Sequence, residues 1–191
     1  MRKVAVYVGG ILLLPLALMA QSVPKIEMYG GYSFLRIQEI SHHGWNLTFG
    51  PNVNNNLGIT TEISGHYGSR TDTLFPGLEA KTDSMVHSFM LGPRVFQTVG
   101  GNWIPYVQGL FGITRVDVDE TLVQDGNRVF SASDGDLGFG MVLGGGLDVK
   151  VNDAVAFRIF QADYNVVRVG GTRFEGGRVS TGVVLRLGQR D

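Results

Sequence analysis

Apolar side chains recur at every second position through most of this chain. That is the period of a β-strand whose two faces meet different surroundings. Across residues 45–50 the apolar positions are Trp45, Leu47 and Phe49. Across 57–67 they are Leu57, Ile59, Ile63 and Tyr67, opposed by Gly58, Thr60, Glu62, Ser64 and His66. Phe89, Leu91 and Val95 oppose Ser88, Gly92 and Arg94, and Phe139, Met141, Leu143, Leu147 and Val149 oppose Gly138, Gly140, Gly144, Gly146 and Asp148. Near the end, Val179, Val183, Leu185 and Leu187 oppose Arg178, Ser180, Gly182 and Arg186. The pattern predicts eight strands, near residues 25–36, 44–51, 56–67, 84–97, 102–116, 136–150, 153–167 and 177–188, and no helix. In the seventh, Phe157 and Ile159 share a face with Val155 while Phe160 and Tyr164 fall on the other. Either a bulge shifts the register there, or that strand turns aromatics inward.

The connections alternate in length. Segments 51–55, 98–101 and 151–152 are short and rich in Asn, Gly or Pro, whereas 37–43, 68–83, 116–135 and 168–176 are long. Tight turns at one end and long loops at the other characterise an even-stranded outer-membrane barrel, with the long loops extracellular. Hydrocarbon offers backbone groups no hydrogen-bond partner, so only helices and closed barrels span it. The expected fold is therefore all-β: an eight-stranded antiparallel up-and-down transmembrane β-barrel. Eight strands leave an interior that side chains fill, so no open pore is expected.

Composition fits this picture. No run after residue 20 is long and apolar enough for a spanning helix, and Gly is abundant at 28 of 191 residues. Arg2 and Lys3 precede an apolar stretch that ends at Ala20, the pattern of a cleaved signal peptide. Residues 1–20 are thus expected to be an export signal and 21–191 the barrel domain. Without Arg2 and Lys3 the remainder has 14 basic and 17 acidic residues, which leaves no basic excess for nucleic acid. Cysteine is absent, so neither a disulfide nor an acylated N-terminal Cys contributes.

Tyr29-Gly30-Gly31-Tyr32-Ser33, Gly44-Trp45-Asn46, Leu57-Gly58 and Ser64-Gly65-His66-Tyr67-Gly68 stand in order on the first three expected strands. In these stretches the chain resembles the eight-stranded outer-membrane β-barrel domain family, relatives of the transmembrane part of outer-membrane protein A. The resemblance implies a monomeric barrel in outer-membrane lipid, with a structural or surface-contact role. Two departures stand out. The last strand ends Leu185-Arg186-Leu187-Gly188 without the terminal aromatic common in such barrels, and no peptidoglycan-binding domain is expected.

The charged positions on the inward face are Glu27, Glu62, Arg94, Asp148, Lys150, Arg158 and Arg186. An unpaired buried charge is very unfavourable, so these are expected to form a lumenal ion-pair network. Tyr32, Trp45, Tyr67, Trp103 and Tyr106, with Phe34 and Phe111, are expected as interfacial aromatics. His42-His43, His66 and His87 lack the dense partners of a metal site, and neither metal nor cofactor is expected. The acidic stretch with Asp117, Asp119, Glu120, Asp125 and Asp134 offers a surface partner or a cation a place in a loop. Two rival classes are a soluble lipocalin-like carrier, with the apolar face inside, and a lipid-modifying barrel enzyme. The enzyme would need a lipid-facing Ser–His pair. Ser64 and His66 share the inward face, and His87 and Ser88 lie on opposite faces.

Overall fold

The computed structural model describes residues 23–37 and 40–189; the expected signal peptide lies outside these residues. Eight strands follow one another: β1 (Pro24–Ile37), β2 (Ile40–Pro51), β3 (Leu57–Phe75), β4 (Leu78–Phe96), β5 (Trp103–Gln124), β6 (Asn127–Lys150), β7 (Val155–Val169) and β8 (Thr172–Gln189). Each pairs antiparallel with the next, and β8 pairs back onto β1, so the sheet closes.

The closure is staggered. From Leu35, hydrogen-bonded partners run through Arg178, Asp163, Gly144, Gln108, Arg94, Gly58 and Asn52. The circuit ends on Lys25, whose carbonyl accepts the Asn52 N–H. Residue 35 minus residue 25 is a stagger of ten, which tilts every strand against the barrel axis.

Side chains sort by face as the alternation predicts. Leu47, Ile63, Phe89, Phe111 and Met141 point outward and are 43–55% exposed, whereas Leu110 and Val142 point inward at 0%. A soluble carrier would need the reverse arrangement, and this apolar exterior rules that alternative out. In β7 the register shifts between Arg158 and Gln161, so Ile159 and Phe160 both face out and the aromatics stay outside. That bulge resolves the irregularity of the seventh strand.

The two ends differ. At the near end, which holds Pro24 and Gln189, tight turns are anchored by asparagines. Asn54 Oδ1 accepts the N–H groups of Asn56 and Leu57, and Asn152 Oδ1 those of Ala154 and Val155. At the far end the segments expected as loops at 68–83 and 116–135 are instead continuations of the strands. They reach two-residue turns at Pro76-Gly77 and Asp125-Gly126. Both residues of the second turn have positive φ, 49° and 81°, the hairpin geometry that an Asp-Gly pair favours.

These continuations pair with one another and leave the barrel behind. Strand β2 accompanies β3 only to Tyr67, and β7 accompanies β6 only from Phe139. Beyond those points β3–β6 stand as a four-stranded sheet joined up to its tips, where Asp125 N–H donates to Gly77 O at 2.8 Å. Its outward face is polar and its other face is mixed. The face continuous with the lumen carries Phe75, Leu78, Ala80, Val118, Leu122 and Phe130 together with Arg70, Asp72, Glu120, Asp134 and Asp136, and the outward face carries Glu79, Lys81, Asp83, Arg115, Asp117 and Asp119.

Phe89→Arg, at the middle of the apolar band, is expected to destabilise the barrel by about 2–4 kcal/mol. Thr121→Arg on the projecting sheet should stay within about 0.5 kcal/mol. Urea titration of the protein folded into lipid vesicles distinguishes the two.

Candidate functional site in the lumen

The tilt brings charged residues from strands distant in sequence into one inward file. Arg186 Nε lies 3.4 Å from Glu27 Oε1, and Glu27 Oε2 accepts from Arg94 at 2.8 Å. Arg94 donates also to Asp148 at 2.8 Å, and Asp148 takes Arg158 Nε at 2.8 Å and Nη2 at 3.1 Å. Arg158 continues to Gln161 at 2.5 Å, and Gln161 Nε2 to Asp163 at 2.6 Å. Asp163 accepts Arg178 at 2.7 Å, and Arg178 forks onto both oxygens of Glu62 at 2.5 and 2.8 Å. Asn46 Nδ2 closes the file on Glu62 at 3.2 Å.

Four carboxylates thus face four guanidiniums, and each of these side chains is 8% exposed or less. The balance matters because ions in a dry interior are tolerated only when paired and fully hydrogen-bonded. Aromatic rings supply further contacts. The Arg158 guanidinium lies 4.0 Å from the Tyr29 ring centre and 4.6 Å from that of Tyr106, whose ring also carries Arg94 at 4.0 Å. Such contacts favour cations most when desolvated. Glycine makes room for the rings. A Cβ on Gly31 would lie 2.4 Å from the Tyr29 hydroxyl, and one on Gly146 2.7 Å from that of Tyr106.

Six of the expected network residues, Glu27, Glu62, Arg94, Asp148, Arg158 and Arg186, stand in this file. Lys150 does not. It sits at the last position of β6 and bonds Asp153 in the turn at 2.5 Å, where its ammonium holds the Asp153 carboxyl below the ordinary carboxylate range. Tyr106 requires a second correction. It lies inside, 4% exposed, donating its hydroxyl to Gln161 at 2.9 Å. Trp103 is 50% exposed on the outside, and residues three apart on a strand cannot share a face. Arg178 and Asp163 join the expected set. Arg178 follows from the alternation that places Arg186 inside, whereas Asp163 is hidden by the β7 bulge.

The model of the outer membrane protein beta-barrel domain family matches residues 8–186. This chain belongs to that family. The barrel is similar in fold to Ail, the attachment invasion locus protein of Yersinia pestis, solved in complex with the heparin analogue sucrose octasulfate. The match has 15% identity and a TM-score of 0.55 and covers 87% of this chain and 99% of that one. Neisserial surface protein A gives 16% and 0.55 over 85% and 96% of the two chains. The outer membrane protein OprG of Pseudomonas aeruginosa gives 12% and 0.50 over 88% and 98%. At such identities the likeness is one of fold. Sequence comparison with curated proteins gives no match.

On the exterior of this outer-membrane barrel, Tyr32, Trp45 and Tyr67 lie toward the far end and Trp103 near the other. Tyr32 shares a hydrogen bond with His43 at 2.5 Å, and Tyr67 one with His87 at 3.2 Å. His42 points inward to Ser84 at 2.7 Å, so the adjacent histidines serve opposite faces. His66 bonds Ser33, not Ser64. The acidic residues of the former loop are likewise divided. Asp117 and Asp119 lie on the outward face, Glu120 and Asp134 on the other, and Asp125 in the turn.

Arg158→Ala leaves Asp148 short of its principal partner and is expected to cost about 3–5 kcal/mol. Arg158→Met combined with Asp148→Leu should cost clearly less than the sum of the single changes, and Lys150→Ala should stay within about 0.5 kcal/mol. Urea midpoints in lipid vesicles report all five variants, the two single changes of the pair included.

Proposed function

We infer that this protein is a non-enzymatic, non-conducting outer-membrane anchor that displays the β3–β6 sheet at the cell surface. The observation that carries this reading is the neutral ion-pair file across the lumen, whose members are held on several strands and by two tyrosine rings. A path for ions would have to break those contacts. The interior is filled elsewhere by Met90, Leu110 and Val142. Against catalysis, Ser64 and His66 face the lumen, away from lipid, and the outward His87 is engaged by Tyr67. The aromatics Tyr32, Trp45, Tyr67 and Trp103 suit the two membrane interfaces.

The ligand crystallised with Ail is a polysulfate. The projecting sheet here, residues 68–83 and 115–137, carries four basic and nine acidic residues, a net charge of −5. That charge opposes a polyanion, so the contact this barrel makes is of another chemistry.

Reconstituted protein is expected to show no discrete conductance steps in planar bilayers, with Arg94→Ala no different; single-channel openings of the unaltered protein would refute the reading. The chain lacks cysteine, so single cysteines map its orientation. An impermeant maleimide should label Asn127→Cys on intact cells and Asn102→Cys only after the outer membrane is opened.

A further inference from the structure

The projecting sheet is apolar at its end, where it stands farthest from the barrel. Phe75 is 69% exposed, more than any other large apolar side chain among the described residues, those of the lipid-facing wall included. Leu74, Val129 and Phe130 are 49–54% exposed near it. The turn of the β3–β4 hairpin, Leu74-Phe75-Pro76-Gly77-Leu78, carries no charge. Because Asp125 N–H donates to Gly77 O, this turn and the Asp-Gly turn of β5–β6 form one apex.

Two bulges load that apex. The pairing of β3 with β4 shifts between Thr73 and Phe75, which makes Leu74 an extra residue. The pairing of β5 with β6 passes from Leu122↔Phe130 to Val123↔Arg128, which makes Val129 another. A bulge leaves its extra residue unpaired in the ladder. Each outer strand of the sheet thus carries one more apolar side chain at its rim than regular alternation supplies. Between the rims Phe75, Leu78, Leu122 and Phe130 share the inner face. The two outer strands stand about 14 Å apart across the sheet. A flat partner seated on the inner face leaves both rims and Pro76 in water. A fluid apolar medium covers all of them at once.

The geometry points to shallow entry of this apex into the headgroup boundary of a second, apposed membrane. The barrel's own bilayer is out of reach. From Ile113, where the lipid-facing apolar positions end, β5 runs to Gln124 at the apex, about 30 Å of tilted strand. Leu74, Phe75, Val129 and Phe130 meet the acyl boundary, and Asp125, Asn127 and Arg128 stay among the headgroups, the depth at which amphipathic surfaces lodge. Glu79, Asp125 and Arg128, the charges nearest the apex, sum to −1, and the sheet as a whole to −5. Zwitterionic headgroups are therefore favoured over anionic ones. This inference names the partner chemistry for the surface-display reading and rests on it.

The test uses the full chain in phosphatidylcholine nanodiscs mixed with phosphatidylcholine vesicles. An environment-sensitive fluorophore is placed on Asn127→Cys at the apex or on Ser133→Cys farther down β6. The vesicles should carry loaded nanodiscs, and not empty ones, to the top of a density gradient. The apex fluorophore should shift to the blue and be quenched by nitroxide lipid in the vesicles, while that on Ser133→Cys stays unchanged. Leu74→Ser with Phe75→Ser should weaken partitioning about tenfold, the worth of half the burial of two such side chains. Val129→Ser should weaken it less, and the heat-dependent gel shift of a folded barrel verifies that the variants fold. Vesicles with half their lipid as phosphatidylglycerol should bind more weakly. The inference fails if vesicles are not bound, if the variants bind as the parent does, or if anionic vesicles bind better. It fails also if the Ser133→Cys fluorophore shifts equally, or if nanodiscs pair without vesicles, which would make a second copy the occupant. Each of these failures leaves the maleimide and conductance results untouched, so surface display stands or falls separately.

Discussion

Every backbone polar group in the membrane-spanning part must find its partner within the sheet, because acyl chains provide none. The seam between β1 and β8 meets that requirement for the last two strands, and the ten-residue stagger of the seam sets the tilt of all eight. Tilt then decides which inward residues meet. Glu62 and Arg178 are 116 positions apart, and Glu27 and Arg186 are 159 apart, yet each pair is in contact. The ion-pair file is thus a consequence of closure, since slipping the seam by one residue would exchange the inward and outward sets. Glycine takes its place in the same logic. Gly31 and Gly146 face rings that stack on Arg158 and Arg94, and the lumen holds those rings only because the neighbouring positions are empty.

The barrel itself was legible because bilayer and lumen impose a strict period of two, and residues 45–50 and 57–67 show it almost without interruption. Charged residues on the inward face could be read the same way, and Arg178 shares its face with Arg186 by simple parity. Two features escaped. The β7 bulge near Ile159 and Phe160 moves Asp163 from one apparent face to the other, and no local residue type announces it. Tyr106 looks like an interfacial ring by chemistry, but its parity with Ile104 and Gln108 places it inside. Where chemistry and parity disagree on a closed sheet, parity prevails, because the register is shared by every strand.

By sequence the far-end segments look like loops because their outward positions turn from apolar to polar while the period of two continues. On β5, Phe111 and Ile113 face outward, and then Arg115, Asp117 and Asp119 do so. On the opposite face Gln108, Leu110 and Thr114 give way to Val116, Val118, Glu120 and Leu122. The pairing of β4 with β5 passes this point without a slip, from Phe89↔Ile113 to Leu78↔Gln124. A scan for apolar outward positions therefore ends at Ile113 although the strand does not. Asp125-Gly126, a strong two-residue hairpin signal, was the residue-level mark of where the strand does end.

That turn from apolar to polar marks the level at which the surroundings change from lipid to water, and it also bears on what the sheet is for. Inside the bilayer the apolar face is the outer one, because lipid covers it. Above that level the outer face turns polar, as water demands, and the inner face, which no longer encloses anything, sets Phe75, Leu78, Ala80, Val118, Leu122 and Phe130 among Arg70, Asp72, Glu120, Asp134 and Asp136. The cross-strand neighbours Phe75 and Leu78, Ala80 and Leu122, and Leu122 and Phe130 join the four strands on that face, which accounts for part of its apolar content. They do not account for Phe75 and Phe130 remaining more than half exposed. Because β3–β6 run unbroken from the membrane to their tips, this surface is built on the barrel wall and not on a flexible tether. Little order remains to be imposed on such a platform when something binds, so the entropy lost in docking falls mainly on the partner.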